Sequence, residues 1–298
     1  MIHRPLFETS GKGFKFFTFV FLLLFGLVAG MVSGTAVIAI FYGSDIDILT
    51  NIEAARIMQI ATQLGLFVIP PIGFALLFFS QPFTGLGFVR NKSLRLWLAA
   101  LLLMIVSLPL VHQLASWNAQ LKLPQFLAGL ENWMQDKEAS AERLTRLFLE
   151  VNNLSGLIIN LMMIALIPSI GEELVFRSVL QPLFVKLFRN IHLGILFGAL
   201  VFSVMHFQFY GLLPRFVLGV FLGYLFYWSG SIWIPVAMHL FNNGMAVMAF
   251  FLHHNEFTDI PMEDFGATGS GFLVFLSLLM SGFLLMLAFR WRKIEQTE

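Results

Sequence analysis

The chain contains no cysteine, so disulfides, thiolate metal ligands, thiol nucleophiles and lipidated cysteine anchors are all excluded. Charge is also scarce. Asp, Glu, Lys and Arg make up 12% of the 298 residues, against about 25% in soluble domains. Hydrophobic residues reach 58%, more than a soluble fold of this length could cover with polar surface. The composition therefore predicts an all-α, polytopic membrane bundle forming one integral membrane domain over 1–298. The net charge is +1 and no basic patch is interleaved with aromatics, so no nucleic-acid partner is expected. Residues 1–15 are too polar for the apolar core of a signal peptide, and the run from Phe16 is long enough to be a retained span.

Charge-free runs predict about eight transmembrane helices: 16–41, 57–79, 96–115, 154–170, 193–210, 216–228, 232–252 and 272–289. The Lys and Arg bias puts Arg4, Lys12, Lys15, Arg90, Lys92, Arg95, Lys186, Arg189, Arg290, Arg292 and Lys293 on one side. Both termini are therefore expected to be cytoplasmic, in a bacterial inner membrane. Acidic stretches such as Asp45, Asp47 and Glu256, Asp259, Glu263, Asp264 fall on the other side. The polar segment at about 116–150 has the pattern of amphipathic helices lying at the interface. Gly26, Gly30 and Gly34, and again Gly219 and Gly223, form small-residue stripes, read as packing inside the bundle rather than as a dimer face.

Against this apolar background three short groups stand out: Glu172-Glu173-x-x-x-Arg177, Phe202-x-x-x-His206 and His239-x-x-x-Asn243. Ionisable groups at membrane depth are expensive, and they persist when they pair or do chemistry. Pro168 is expected to end one helix and Gly171 to loosen the chain, with a new helix starting at Glu172. Glu173 and Arg177 are four apart and can pair on one face. Glu172 is turned by about 100° from Glu173 and can face a cavity as a general base. His206 is expected deep in its span. His239 and Asn243 are also four apart, which suits an oxyanion hole or, alternatively, an interhelical hydrogen-bond clamp. His3, His112, His192, His253 and His254 read as loop or interfacial residues. There is no His-Glu-x-x-His, no Asp inside an expected span and no Gly-x-Ser-Gly, which argues against zincin-type, two-aspartate and rhomboid-type proteases. A carboxylate and imidazole site acting on water remains.

These groups, in this order, resemble the CPBP family of CAAX proteases and bacteriocin-processing enzymes, also called Abi. The run 170–177, Arg215-Phe216 with Gly219 and Gly223, and Gly230-Ser231-Ile232 extend the likeness over a core of about 154–250. Ser178 stands where many members have Gly, a difference expected to be harmless. The resemblance implies an intramembrane endopeptidase in which Glu172 and His206 activate water near the cytoplasmic side and His239 and Asn243 stabilise the oxyanion. Glu173 and Arg177 would support the site and help position a peptide or protein substrate at the bilayer, a prenylated tail among the options. A metal-free glutamate mechanism is favoured, with no cofactor; a zinc ion held by Glu172, His206 and His239 is the competing form. The alternative function is a non-catalytic membrane scaffold or a bacteriocin self-immunity protein. A proton-coupled transporter is disfavoured because no inverted repeat is seen and the intramembrane acids cluster in one half. Oligomeric state is not legible.

Overall fold

The structure is a computed structural model that describes residues 4–295 except 44, 49, 262 and 263. His3 and Glu263 lie outside the described residues. Among those residues the chain is helical, with no strand, as the composition predicted. The principal helices are α1 (Lys12–Tyr42), α2 (Ile52–Phe78), α3 (Leu94–Val106), α4 (Leu108–Ala119), α5 (Ala128–Leu149), α6 (Leu154–Phe188), α7 (Ile191–Val204), α8 (Leu212–Ser229), α9 (Trp233–His254) and α10 (Gly271–Glu295). Six of them are long and apolar enough to cross a bilayer, or seven if α3 and α4, bent by 43°, count as one span. The run expected over 193–210 yields only the 14-residue α7, about 21 Å of helix against a hydrocarbon core of about 30 Å.

The expected break before Glu172 does not occur: α6 runs unbroken through Pro168 and Gly171. Its π-helical turns at Leu161–Leu166 and Leu174–Leu180 explain why. Proline removes an N–H and crowds the carbonyl four residues back. A wider turn just upstream relieves that crowding, and π turns are a known way for a helix to absorb such a defect. The pairing occurs three times in all, with Leu64–Val68 before Pro70-Pro71, Leu161–Leu166 before Pro168, and Leu174–Leu180 before Pro182.

The glycine stripes are packing devices inside the bundle. On α1, Gly26, Gly30 and Gly34 are buried against α2. A Cβ on Gly26 would run into the Gly65 carbonyl and lie 2.8 Å from Pro70 Cγ. Gly26→Leu is therefore expected to destabilise the bundle by about 1–3 kcal/mol. Gly282→Leu on α10, where a Cβ meets nothing within 4 Å, is the control. Equal melting temperatures for the two variants would refute this account of α1–α2 packing. Gly219 and Gly223 of α8 pack on Ala199 and Ile195 of α7.

Helix α8 is longer than the charge-free run suggests and takes Arg215 into its first turn. It ends at Gly230, whose φ of 62° is the left-handed conformation that glycine adopts freely. Ser231 Oγ donates to Val89 O at 2.6 Å and Ser178 Oγ to Leu86 O at 2.6 Å, tying the 86–89 loop to α6 and to the start of α9. Ser178 is thus a buried donor here, not merely a tolerated replacement. Helix α5 does not lie wholly at an interface. Its last turns enter the protein, where Phe148 packs with Ala55 and Met163.

Candidate active site

The three sequence groups converge from α6, the end of α7 and α9. Glu173 is fully buried and holds two partners. Its Oε2 lies 2.9 Å from Arg177 Nε, the expected i, i+4 pair, and its Oε1 lies 2.8 Å from His239 Nδ1. A carboxylate oxygen only accepts, so Nδ1 of His239 carries a proton and Nε2 is turned away from Glu173. Arg177, 2% exposed, donates from Nη2 to Gly219 O at 3.3 Å and sits 4.6 Å over the Phe202 ring. One turn on, Gln181 Nε2 donates to Gly223 O at 3.1 Å. The α8 glycines that let α7 approach thus also expose carbonyls to two α6 side chains four residues apart. Neither Glu173 nor Arg177 lines the cavity. They brace it from behind, joined to each other and to His239.

His206 is not deep in a helix. It lies in the turn just past the end of α7, followed by Phe207 with a φ of 53°, an uncommon conformation for a bulky residue. Its Nδ1 is 2.8 Å from Phe202 O, so this nitrogen too carries the proton and Nε2 faces inward. The loop is held from several sides. Arg215 Nη1 and Nη2 donate to Gln208 O and Oε1 at 2.7 and 2.6 Å, Tyr210 N donates to Glu138 Oε2 at 3.2 Å, and Asn118 Nδ2 donates to Phe209 O at 2.9 Å. Phe202 is the hub of this corner. Its ring lies 4.9 Å from the His206 ring and 5.9 Å from the His239 ring, centroid to centroid.

Glu172 faces a cavity of about 360 Å³, also lined by His206, His239, Asn243, Gln63 and Arg215. Its Oε2 is 3.8 Å from the Nε2 of both His206 and His239, too far for a hydrogen bond, and it is buried without a hydrogen-bond partner. Three lone pairs therefore point toward one another across a gap. Their chemistry is that of a His₂Glu zinc set. As placed, however, no three His, Asp or Glu side chains among the described residues are arranged to hold a metal ion.

Asn243 lines the cavity with His239, but its amide is engaged. Nδ2 donates to Ile164 O at 3.4 Å. In an α-helix that carbonyl would be bonded by residue 168, which is Pro168 and has no N–H. The α9 amide thus reaches the carbonyl that Pro168 leaves without its α-helical donor. Sequence reasoning missed Gln59, Gln63, Gln208 and the cavity placing of Arg215. The signal for the first two was present, because Gln59 and Gln63 are four apart on an otherwise apolar run.

The fold is that of a polytopic helical membrane bundle, with a carboxylate and two imidazoles around one cavity. Residues 154–245 match the family model of the type II CAAX prenyl endopeptidase Rce1-like proteins. That match bears out the resemblance to the CPBP family of CAAX proteases and supports a CAAX-type intramembrane endopeptidase. No curated protein and no solved structure matches the chain.

Proposed function

We propose that this protein is a metal-free, glutamate-type intramembrane endopeptidase that cleaves membrane-associated peptides, prenylated C-terminal tails among them. The observation that carries this reading is the position of Glu172 Oε2. It is buried, has no hydrogen-bond partner, and stands 3.8 Å from two imidazole nitrogens across one cavity. An unpartnered buried carboxylate is costly unless it is occupied by a ligand or works as a base. Glu172 takes a proton from water as the water oxygen attacks the peptide carbonyl. Glu172 then passes that proton to the Nε2 of His206, whose Nδ1–H stays anchored on Phe202 O, and His206 delivers it to the leaving amine as the C–N bond breaks. His239 takes a second proton, from solvent, on Nε2 before the attack; as an imidazolium held by Glu173 through Nδ1 it donates from Nε2 to the oxyanion and keeps that proton when the carbonyl re-forms. Asn243 joins it when its amide leaves the Ile164 carbonyl.

The cavity is bordered by Leu144, Thr145 and Phe148 of α5. Phe148 packs beside the starts of α2 and α6, away from the Lys12 end of α1. A cytoplasmic N-terminus would place this flank on the far side of the membrane, in tension with the cytoplasm-facing site expected from the sequence. The supporting experiment compares wild type and His206→Ala, full length in liposomes, on a quenched peptide ending in farnesyl-cysteine plus three residues. The variant is expected to lose about 10²–10⁴-fold in kcat with an unchanged melting temperature. A zinc chelator should leave wild-type cleavage intact. Equal rates for the two proteins would reject the role of His206, and loss of activity that zinc alone restores would reject the metal-free form.

A further inference from the structure

Two cavities meet at the site. Besides the 360 Å³ one, a second of about 270 Å³ runs toward Leu27 of α1 and Phe67 of α2, and the two share Gln59, Gln63, Glu172 and His206. Both glutamines lie on α2, outside the family-matched segment. Their neighbour Thr62 is satisfied within the helix, donating to Met58 O at 2.8 Å. Gln63 is not, because its Oε1 is buried without a hydrogen-bond partner. Other side chains with such orphan atoms among the described residues are Arg56, Asn160, Glu173, Arg177 and Ser281, and none of them lines these two cavities. Glu172 and Gln63 do, and they do so together.

Two residues that line the same two cavities each bury an acceptor without a donor, and one group carrying two hydrogens would satisfy both. A water molecule has two hydrogens, and a buried water is stable with two to four polar partners. We infer that Gln63 positions the hydrolytic water, its Oε1 accepting one hydrogen while Glu172 Oε2 accepts the other. This rests on the proteolytic reading above. The water oxygen's lone pairs are then turned away from both acceptors, toward the space where a carbonyl carbon would sit. The hydrogen on Glu172 is the one transferred in the attack; the hydrogen on Gln63 stays with the new carboxyl group. Holding the nucleophile from α2 also explains why a glutamine is kept on an apolar helix beside a π turn.

The test is Gln63→Met, which keeps length and volume and removes the acceptor. On the farnesylated peptide, kcat is expected to fall about 10–100-fold with KM within about twofold, since a misplaced reactant lowers turnover more than binding. The melting temperature should hold or rise, because an unpaired buried acceptor is gone. Unchanged kcat, or a loss of kcat matched by a loss of stability, would overturn the inference. A second measurement does not depend on turnover. Melting-temperature shifts of Glu172→Leu, Gln63→Met and the double variant, each of which removes an acceptor, should be non-additive if the two residues share a water. Additive shifts overturn the inference even if wild type cleaves. If wild type cleaves nothing, the protease reading fails by itself and the additivity test still decides whether the two residues share a water.

Discussion

Glu172→Gln is expected to lower kcat by about 10³-fold or more while leaving the melting temperature unchanged or higher. The substitution keeps size and hydrogen-bonding capacity and removes only the ability to take a proton. Nothing in the fold loses a partner by it. Oε2 of Glu172 makes no hydrogen bond, and its nearest imidazole nitrogens are 3.8 Å away. Removing an unpaired buried charge ordinarily favours the folded state. Loss of activity together with gained stability is the signature of a group kept for chemistry. A scaffold or self-immunity protein would tolerate this change, so the variant separates the two functional classes. Full activity in Glu172→Gln would return the site to a structural role.

Arg177→Met should act in the opposite sense, destabilising the bundle by about 3–5 kcal/mol. Here the partner left behind is the difficulty. Glu173, at 0% exposure, would lose the guanidinium 2.9 Å from Oε2. The loss would spread because Glu173 also holds Nδ1 of His239 at 2.8 Å. Activity should therefore fall with stability. Arg177→Met combined with Glu173→Gln should recover much of the stability, since the stranded carboxyl group is then gone. Thermal unfolding of the two single variants and the double variant measures this directly. A stable Arg177→Met protein would show that the ion pair is dispensable to the fold.

Much of this site was legible in the sequence because helical spacing fixes which side chains share a face. Glu173 and Arg177 pair as their four-residue separation requires, and Glu172, one position back, turns to the cavity. The alternation of apolar runs also gave the helical class. What spacing could not give was the effect of proline. Pro168 looked like a helix end, yet a π turn upstream and the Asn243 amide on Ile164 O keep α6 continuous. Nor could it give His206 its place past the end of α7, because hydropathy does not see where an apolar run stops being helical. Arg215 falls between the charge-free runs 193–210 and 216–228. In the structure its hydrogen bonds to Gln208 let it enter α8 and line the cavity.

The central claim is that Glu172 activates water to cut a peptide bond inside this cavity. Mass spectrometry of a farnesylated peptide incubated in ¹⁸O-water with folded wild type, beside Glu172→Gln of matched melting temperature, tests it most directly. Wild type should release the three residues beyond the modified cysteine and leave one ¹⁸O in the new carboxylate, and the variant should do neither. The same labelled product at the same rate from Glu172→Gln would contradict the account.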